Sequence, residues 1–162
     1  MRHVFTSLLL AMLLLAFPSL VQADAYDAMD AAIHDHMDGF WFGHRGRAVD
    51  VTRTITVSAV GSRFVPQTIN VKLGETVRFT IVNRDKVAHE FVIGDIAEQA
   101  EHDKEMAAMP GMPMDDANGV MIAPGTTASL VWTFTRPGEL QYACHLPGHY
   151  LGGMAGWLTV HD

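Results

Sequence analysis

Three residues near the C-terminus, Cys144, His149 and Met154, are evenly spaced, with four residues in each gap. They offer one thiol, one imidazole and one thioether. A set of one Cys, two His and a weak axial Met is typical of electron-transfer copper centres, because soft sulfur favours Cu(I) whereas imidazole accepts both oxidation states. The loop is therefore predicted to bind copper together with a second imidazole from elsewhere in the chain.

His89 is the best candidate for the second imidazole, because it interrupts a segment that otherwise reads as the start of a strand. Cys144 is the only cysteine, so it cannot form an internal disulfide, and a bound metal would protect its thiol in an oxidising compartment. A buried apolar cysteine is the alternative interpretation. The His and Met residues downstream of Cys144 favour the metal.

With these residues the chain resembles the cupredoxin family, in which a strand His is followed by a C-terminal loop with Cys, His and Met. Residues 74–83 and 156–160 also resemble family strands, and the resemblance covers roughly residues 53 to 162. It implies a cupredoxin-like Greek-key β-sandwich with one type 1 copper centre. Glu90 departs from the pattern, because many cupredoxins carry Asn directly after this His to tie the two ligand loops together.

The first 23 residues are predicted to be a cleaved signal peptide. Arg2 precedes an apolar stretch, and small residues ending at Ala23 offer a cleavage site. The stretch is short for a membrane span, so an uncleaved anchor is the lesser alternative and no stable membrane anchoring is expected. The expected location is the periplasm.

Residues 24–162 carry ten basic and eighteen acidic side chains, a formal charge of −8, because Arg2 is the one charged residue of the signal segment. This balance argues against nucleic acid or an anionic membrane as partner. A cationic protein partner is compatible with it. The length suits one domain.

The chain from residue 53 onward predicts an all-β fold. Short runs of β-branched and aromatic residues alternate with polar ones and are separated by Gly and Pro turn signals. In the run 53–59 the polar residues Thr54, Thr56 and Ser58 alternate with apolar ones. Seven strands are predicted, at residues 53–59, 68–72, 76–83, 89–93, 126–135, 138–143 and 155–160, which suits a small Greek-key sandwich.

Two segments fall outside this rhythm. Residues 24–52 are predicted to be an irregular N-terminal extension whose aromatic cluster, residues 40–42, packs on the sandwich, because three adjacent exposed aromatics would be unusual. Residues 95–123 are an insertion in the domain 53–162. Within it, residues 96–109 are strong helix formers, and Pro110 and Gly111 end the helix.

The insertion also carries soft metal donors. At helical spacing some of them share one face, and thioethers select Cu(I). A candidate second Cu(I) site follows, made of His102, Met106, Met109, Met112 and Met114. A packed or disordered Met-rich loop is the alternative, because Met commonly fills gaps in cores.

Other histidines receive weaker assignments. His145 is predicted to point away from a metal bound by Cys144, since successive strand residues face opposite sides, and to lie at the surface or a partner contact. His34, His36 and His44 suggest a solvated metal-scavenging tail more than a defined site.

Two functions are compatible with these residues, and we expect neither to be enzymatic, because an oxygen-reducing copper cluster needs several more paired histidines, which His34 and His36 alone cannot provide. The Met-rich residues 109–114 together with the Cys144 loop resemble periplasmic copper-resistance cupredoxins, which implies copper tolerance by binding, transferring or redox-cycling Cu(I)/Cu(II). The alternative is a diffusible one-electron carrier. The expected partners are copper ions and a periplasmic redox or copper-transfer protein.

Overall fold

A computed structural model of the protein describes residues 39–109 and 116–162. The predicted signal peptide, most of the predicted extension with His34 and His36, and Met112 and Met114 lie outside the described residues.

Ten strands and one α-helix occur within the described residues. In chain order they are β1 (Gly43–Arg45), β2 (Arg53–Ala59), β3 (Phe64–Val65), β4 (Thr68–Lys72), β5 (Thr76–Asn83), β6 (His89–Gly94), helix α1 (Ile96–Ala108), β7 (Gly119–Ile122), β8 (Thr127–Phe134), β9 (Gly138–Ala143) and β10 (Ala155–His161). A short 3-10 turn spans Ala48–Asp50. The predicted all-β fold class is confirmed.

The strands form two sheets that share one hydrophobic core. The first sheet has the order β1-β8-β5-β2-β3 and the second the order β4-β10-β9-β6-β7. The pairs β2–β5 and β4–β10 are parallel and the others antiparallel. Neighbours that are distant in sequence, such as β5 and β8, give the sandwich its crossed connections.

Residue alternation decides which side of each strand enters the core. In β2 the predicted apolar face is correct, since Val57 and Ala59 are fully buried. In β8 the inward residues are Leu130, Trp132 and Phe134, each at most 2% exposed. Because the side-chain period of a strand is two, this face follows directly from the sequence.

Strand β6 is buried along its whole length, on both faces. Its residues Phe91 and Ile93 belong to the core, whereas helix α1 covers the opposite face, where the Gln99 amide donates to the carbonyl of Val92 at 3.0 Å. The same amide donates to the carbonyl of Gln141 in β9 at 3.3 Å. The insertion is therefore a helical cover on the outer face of the second sheet.

Helix α1 begins with a capping box. The Asp95 side chain accepts from the backbone N–H groups of Ala97 and Glu98, and the Glu98 carboxylate accepts from the N–H of Asp95. This satisfies three donors that a helix start otherwise leaves unpaired. The helix ends at Ala108, one residue before the predicted end.

Part of the predicted N-terminal extension belongs to the first sheet. Strand β1 pairs antiparallel with β8, and Phe42 is fully buried beside Trp132, with ring centroids 5.4 Å apart. Phe40 packs against the same core, and Trp41, 40% exposed, donates to Asp95 at 2.7 Å. The expected packing of this aromatic cluster is confirmed.

The sequence did not predict β1, β3 or β7, which have only two to four residues each. Such short edge strands are ordered by pairing with longer neighbours rather than by their own composition. Within the described residues, no helix combines the length and apolarity needed to cross a membrane.

Candidate metal centre

Three of the predicted ligands converge at one end of the core. His89, Cys144 and His149 each offer one ligand atom, and these atoms all lie within 4.8 Å of one another. Cys144 Sγ is 3.3 Å from His149 Nδ1, and the rings of His89 and His149 are 5.0 Å apart at their centroids. His89 and Cys144 are fully buried, whereas His149 is half-buried.

The His89 ring is oriented by a carboxylate. Its Nε2 lies 2.9 Å from Asp85 Oδ2, while its Nδ1 is buried and has no hydrogen-bond partner among the described residues. Asp85 is in turn held by the backbone N–H groups of Gly61 and Ser62, at 2.8 and 3.0 Å. The bond with Ser62 is the largest single cause that lowers the pKa of Asp85, and burial opposes it. Asp85 therefore leaves Nδ1 as the ring nitrogen that is free to bind a metal.

The Cys144 thiol is buried at the end of β9. Burial, reinforced by the charge of Glu90, raises its pKa to about 11, although the N–H groups of Glu90 and Leu146 oppose the rise. The Glu90 N–H donates to Sγ at 3.3 Å. Without a metal the thiol is protonated at neutral pH, and a metal that binds the thiolate must displace this proton.

The loop after Cys144 is folded by backbone hydrogen bonds. Cys144 N–H donates to the carbonyl of Met154 at 3.1 Å, Met154 N–H to that of His149 at 2.9 Å, and His149 N–H to that of Leu146 at 2.9 Å. These bonds bring the three evenly spaced residues into one turn. Met154 is fully buried within the core.

His149 is the ligand candidate nearest to solvent. Burial, together with the charge of His89, lowers its pKa below the ordinary value of 6.5, and Asp85 opposes the change. Its imidazole is therefore neutral at pH 7, the state in which a ring nitrogen can bind a metal.

Glu90 connects the two ligand segments. Besides the bond from its own N–H to Cys144, its Oε2 accepts from the backbone N–H of His145 at 3.3 Å. This carboxylate stands where many cupredoxins carry Asn, and it ties the strand of His89 to the Cys144 loop. Glu90 therefore connects the two ligand segments with a carboxylate acceptor where many cupredoxins have Asn.

His145 points away from Cys144, as predicted, but its predicted surface position is wrong. It is 3% exposed, because helix α1 covers the face that it occupies. Its Nε2 lies 2.6 Å from Gln99 Oε1 and its Nδ1 3.2 Å from Asp103 Oδ1. Burial is the main cause that lowers its pKa, and Asp103 opposes this effect.

The predicted second Cu(I) site stays a prediction, but the surroundings of His102 differ from those expected of a Cu(I) ligand. His102 and Met106 are buried on the inner face of α1, and Met109 follows the helix end with 38% exposure. Both ring nitrogens of His102 face carboxylates, Glu90 at 3.0 Å and Asp116 at 3.3 Å. The imidazole of His102 therefore contacts carboxylate oxygens rather than the sulfur atoms that Cu(I) prefers.

The convergent group suits a metal ion. A buried imidazole nitrogen without a partner, a thiol and a second imidazole meet at one point, and one thiolate with two imidazoles is a donor set that copper accepts. Asp85 orients His89, and the N–H of Glu90 orients Cys144. Metal ligands usually have such hydrogen-bond partners.

Two residues that contact predicted metal ligands were not predicted from the sequence. Asp85 lies four residues before His89 in a turn, a position whose composition also fits an ordinary turn residue. Asp116 is far from His102 along the chain, and no local pattern indicates their proximity. His44, which belongs to the predicted scavenging tail, lies in β1.

Comparison with known proteins agrees with this geometry. The model of the copper-binding plastocyanin/azurin family matches residues 51–161. A copper-resistant cuproprotein CopI of Rubrivivax gelatinosus is 39% identical over 148 residues, which cover 89% of this chain and 90% of the relative. A protein of the same name from Pseudomonas aeruginosa is also 39% identical over 148 residues, with 74% and 82% covered.

Among solved structures, a reduced auracyanin from Roseiflexus castenholzii superposes with a TM-score of 0.61 at 27% identity. The match covers 69% of this chain and 99% of that one.

Proposed function

The chain belongs to the plastocyanin/azurin family of copper-binding proteins, and we propose that it contributes to copper tolerance by binding, transferring or redox-cycling Cu(I)/Cu(II). The observation that carries this proposal is the convergence of His89, Cys144 and His149, with the unpartnered Nδ1 of His89 in the group. We assign these residues and Met154 as the ligands of one type 1 copper centre.

Each ligand has a distinct role in this assignment. Cys144 would hold copper as a thiolate, His89 and His149 would supply imidazole nitrogens, and Met154 would supply a thioether. The bound metal would supply one-electron redox chemistry. The buried strand β6 and the buried end of β9 would keep the ligands in one arrangement. His149, which is half-buried, would be the ligand through which electrons pass to a partner.

The copper-tolerance role is supported by two relatives that carry the name copper-resistant cuproprotein, each covered over most of its length. The soft donors of the insertion also favour copper handling, because thioethers select Cu(I). The proposal includes export to the periplasm by residues 1–23 and metal handling without turnover of an organic substrate.

An electron carrier is the second candidate, favoured by one surface feature. The loop that carries His149 also carries accessible apolar residues: Leu151 is 89% exposed, Pro147 is exposed, and Leu146 and Tyr150 are half-buried. A groove of about 330 Å³ runs between these residues and helix α1. An apolar rim of this kind, with Asp103 as the one charged residue among the described residues that line the groove, would suit transient docking of a redox protein.

A copper titration of the purified mature protein tests the proposal. Cu(II) is followed by visible absorption, and Cu(I) by competition with a chromophoric chelator. We expect intense colour that saturates at one equivalent of Cu(II), with additional equivalents of Cu(I). Colour with a single equivalent of Cu(I) would favour the electron carrier, and no intense colour would refute the type 1 assignment.

The variant Cys144→Ser is the matched test of the ligand assignment, because it removes the sulfur and keeps the shape. The charge-transfer colour should disappear, while His161→Gln, which changes an exposed imidazole, should keep it. Deleting the gene separates the two functions, since loss of growth on copper supports tolerance and a lowered respiratory rate supports electron transfer.

A further inference from the structure

A second group of side chains that could hold a metal ion lies on the other face of strand β6 from His89. Glu90, His102 and Asp116 each offer one ligand atom, and the three atoms lie within 4.8 Å of one another. His102 Nε2 is 3.0 Å from Glu90 Oε1, and His102 Nδ1 is 3.3 Å from Asp116 Oδ2. The side chains of Glu90 and His102 are only 3% and 8% exposed, and that of Asp116 is 31% exposed.

This cluster is separate from the copper ligands because of strand alternation. His89 and Glu90 are consecutive in β6, so their side chains leave opposite faces of the sheet. His89 faces the core and Glu90 faces helix α1, as its contact with His102 shows.

The positions of the three residues are set by different elements. Glu90 is part of β6, and His102 lies on α1, which Gln99 anchors to β6 and β9. The backbone of Asp116 is held by the Arg45 side chain, which donates to its carbonyl at 3.1 Å. The three residues therefore lie on three segments that hydrogen bonds hold in place. One of these segments, β6, also carries the candidate copper ligand His89.

The cluster holds more carboxylates than its one imidazole can pair. Glu90 and Asp116 both face the ring of His102 at a largely buried place, where a carboxylate needs a partner. The Oδ2 atom of Asp116 is buried, and among the described residues it accepts no hydrogen bond, because its 3.3 Å contact with His102 Nδ1 lacks hydrogen-bond geometry.

We propose that Glu90, His102 and Asp116 form a second metal site, which binds a divalent ion of the Cu(II) or Zn(II) class. A doubly charged cation would offset the two carboxylates and bind the Asp116 oxygen that accepts no hydrogen bond. Imidazole with carboxylate oxygens suits Cu(II) and Zn(II), whereas Cu(I) prefers sulfur. Three protein ligands also leave a coordination position open for water or for an exchanging ligand.

The site has a direct connection to the copper ligands. Glu90 donates its N–H to Cys144 Sγ and accepts the N–H of His145 with its second carboxylate oxygen. A cation bound by the Glu90 carboxylate would therefore sit on the residue whose backbone N–H donates to Cys144 Sγ. The site does not depend on the copper-tolerance role, because none of its three ligands belongs to the proposed type 1 centre.

Zinc binding tests this proposal. The copper centre is first filled with one equivalent of Cu(II), and Zn(II) is then titrated in competition with a chromophoric chelator. Asp116→Asn removes one ligand oxygen and its charge at a partly exposed position. Glu105→Gln is the matched control, since it removes a charge that acts on His102 without belonging to the cluster.

We expect Asp116→Asn to weaken one zinc equivalent by at least about tenfold, because loss of a group that merely supports a metal ligand already costs 10–100-fold. Glu105→Gln should bind zinc as the unaltered protein does. Equal zinc binding by Asp116→Asn and the unaltered protein would overturn the proposal, as would equal weakening in both variants.

The colour of the copper centre is a separate readout. Its retention shows that each variant is folded, and its absence in the unaltered protein would refute the type 1 assignment without bearing on the zinc result. Zinc that binds only as the colour is lost would be displacing copper and would count against a separate site. In zinc-soaked crystals, an anomalous peak between the three side chains would support the proposal, and a peak confined to other residues would overturn it.

Discussion

At the residue scale, the proposed copper site includes groups that hold the candidate ligands as well as the ligands themselves. Asp85 holds Nε2 of His89, and Glu90 holds the backbone on both sides of Cys144. An imidazole ring or thiol that is already held by a hydrogen bond loses little conformational freedom when a metal binds. These supporting groups should therefore contribute measurably to copper affinity.

Replacing Asp85 tests this expectation. Asp85→Ala removes the acceptor of His89 and of the Gly61 and Ser62 N–H groups, so Cu(II) affinity should fall by roughly 10–100-fold. Asp85→Asn keeps an acceptor and should lose less. Chelator competition gives both affinities, and an Ala variant that is folded and binds copper with unchanged affinity would exclude the orienting role.

At the element scale, helix α1 determines the environment behind the site. It turns the outer faces of β6 and β9 into an interface, which buries Glu90 and His145. A sheet without this helix would leave both residues in water. The helix start is held by Asp95, which also accepts from Trp41 of the N-terminal segment.

The cap should contribute to stability in a charge-dependent way. Asp95→Ala should lower the free energy of unfolding by about 1 kcal/mol at pH 7, as a lost N-cap usually does. Asp95→Asn should lose less, because its amide oxygen still caps. Urea unfolding with a chelator present, followed by tryptophan fluorescence, measures both losses.

The pKa of Asp95 predicts how this difference varies with pH. Burial raises the pKa, but the bonds from Glu98, Trp41 and Ala97 outweigh it and place it below 3.8. A carboxylate with a lowered pKa stabilises the fold above its unfolded value and loses that contribution as the pH falls through the folded value. The gap between the unaltered protein and Asp95→Asn should therefore shrink below pH 3.8, and a gap independent of pH would contradict a role for the charge.

At the scale of the whole molecule, the sandwich begins before the segment in which strands are evident from sequence. Strand β1 extends the first sheet, and Phe42 fills part of the core beside Trp132. The N-terminal segment also contacts the insertion through the bond between Trp41 and Asp95. Residues 40–45 therefore belong to the folded unit.

Truncating these aromatics tests the assignment. Phe42 is fully buried, so Phe42→Ala should cost about 3–5 kcal/mol of stability, the usual range for a deleted core aromatic. Trp41→Ala should cost clearly less, because Trp41 is 40% exposed. Equal, small losses of unfolding free energy in the two variants would show that the segment is peripheral.

The sequence by itself determined the fold class and three of the convergent donors. Strand alternation is a local, period-two property, so the inward faces of β2 and β8 could be read from the order of residues. The donor types of His89, Cys144 and His149 indicated copper chemistry, because the preference of copper for thiolate and imidazole does not depend on the fold.

Only the tertiary structure decided what lies behind those donors. The surface position predicted for His145 is wrong because burial depends on which element covers a sheet face, and helix α1 comes from a segment more than thirty residues away. The grouping of Glu90, His102 and Asp116 likewise joins a strand, a helix and a turn. Such contacts arise from the packing of whole elements, which no residue spacing along the chain encodes.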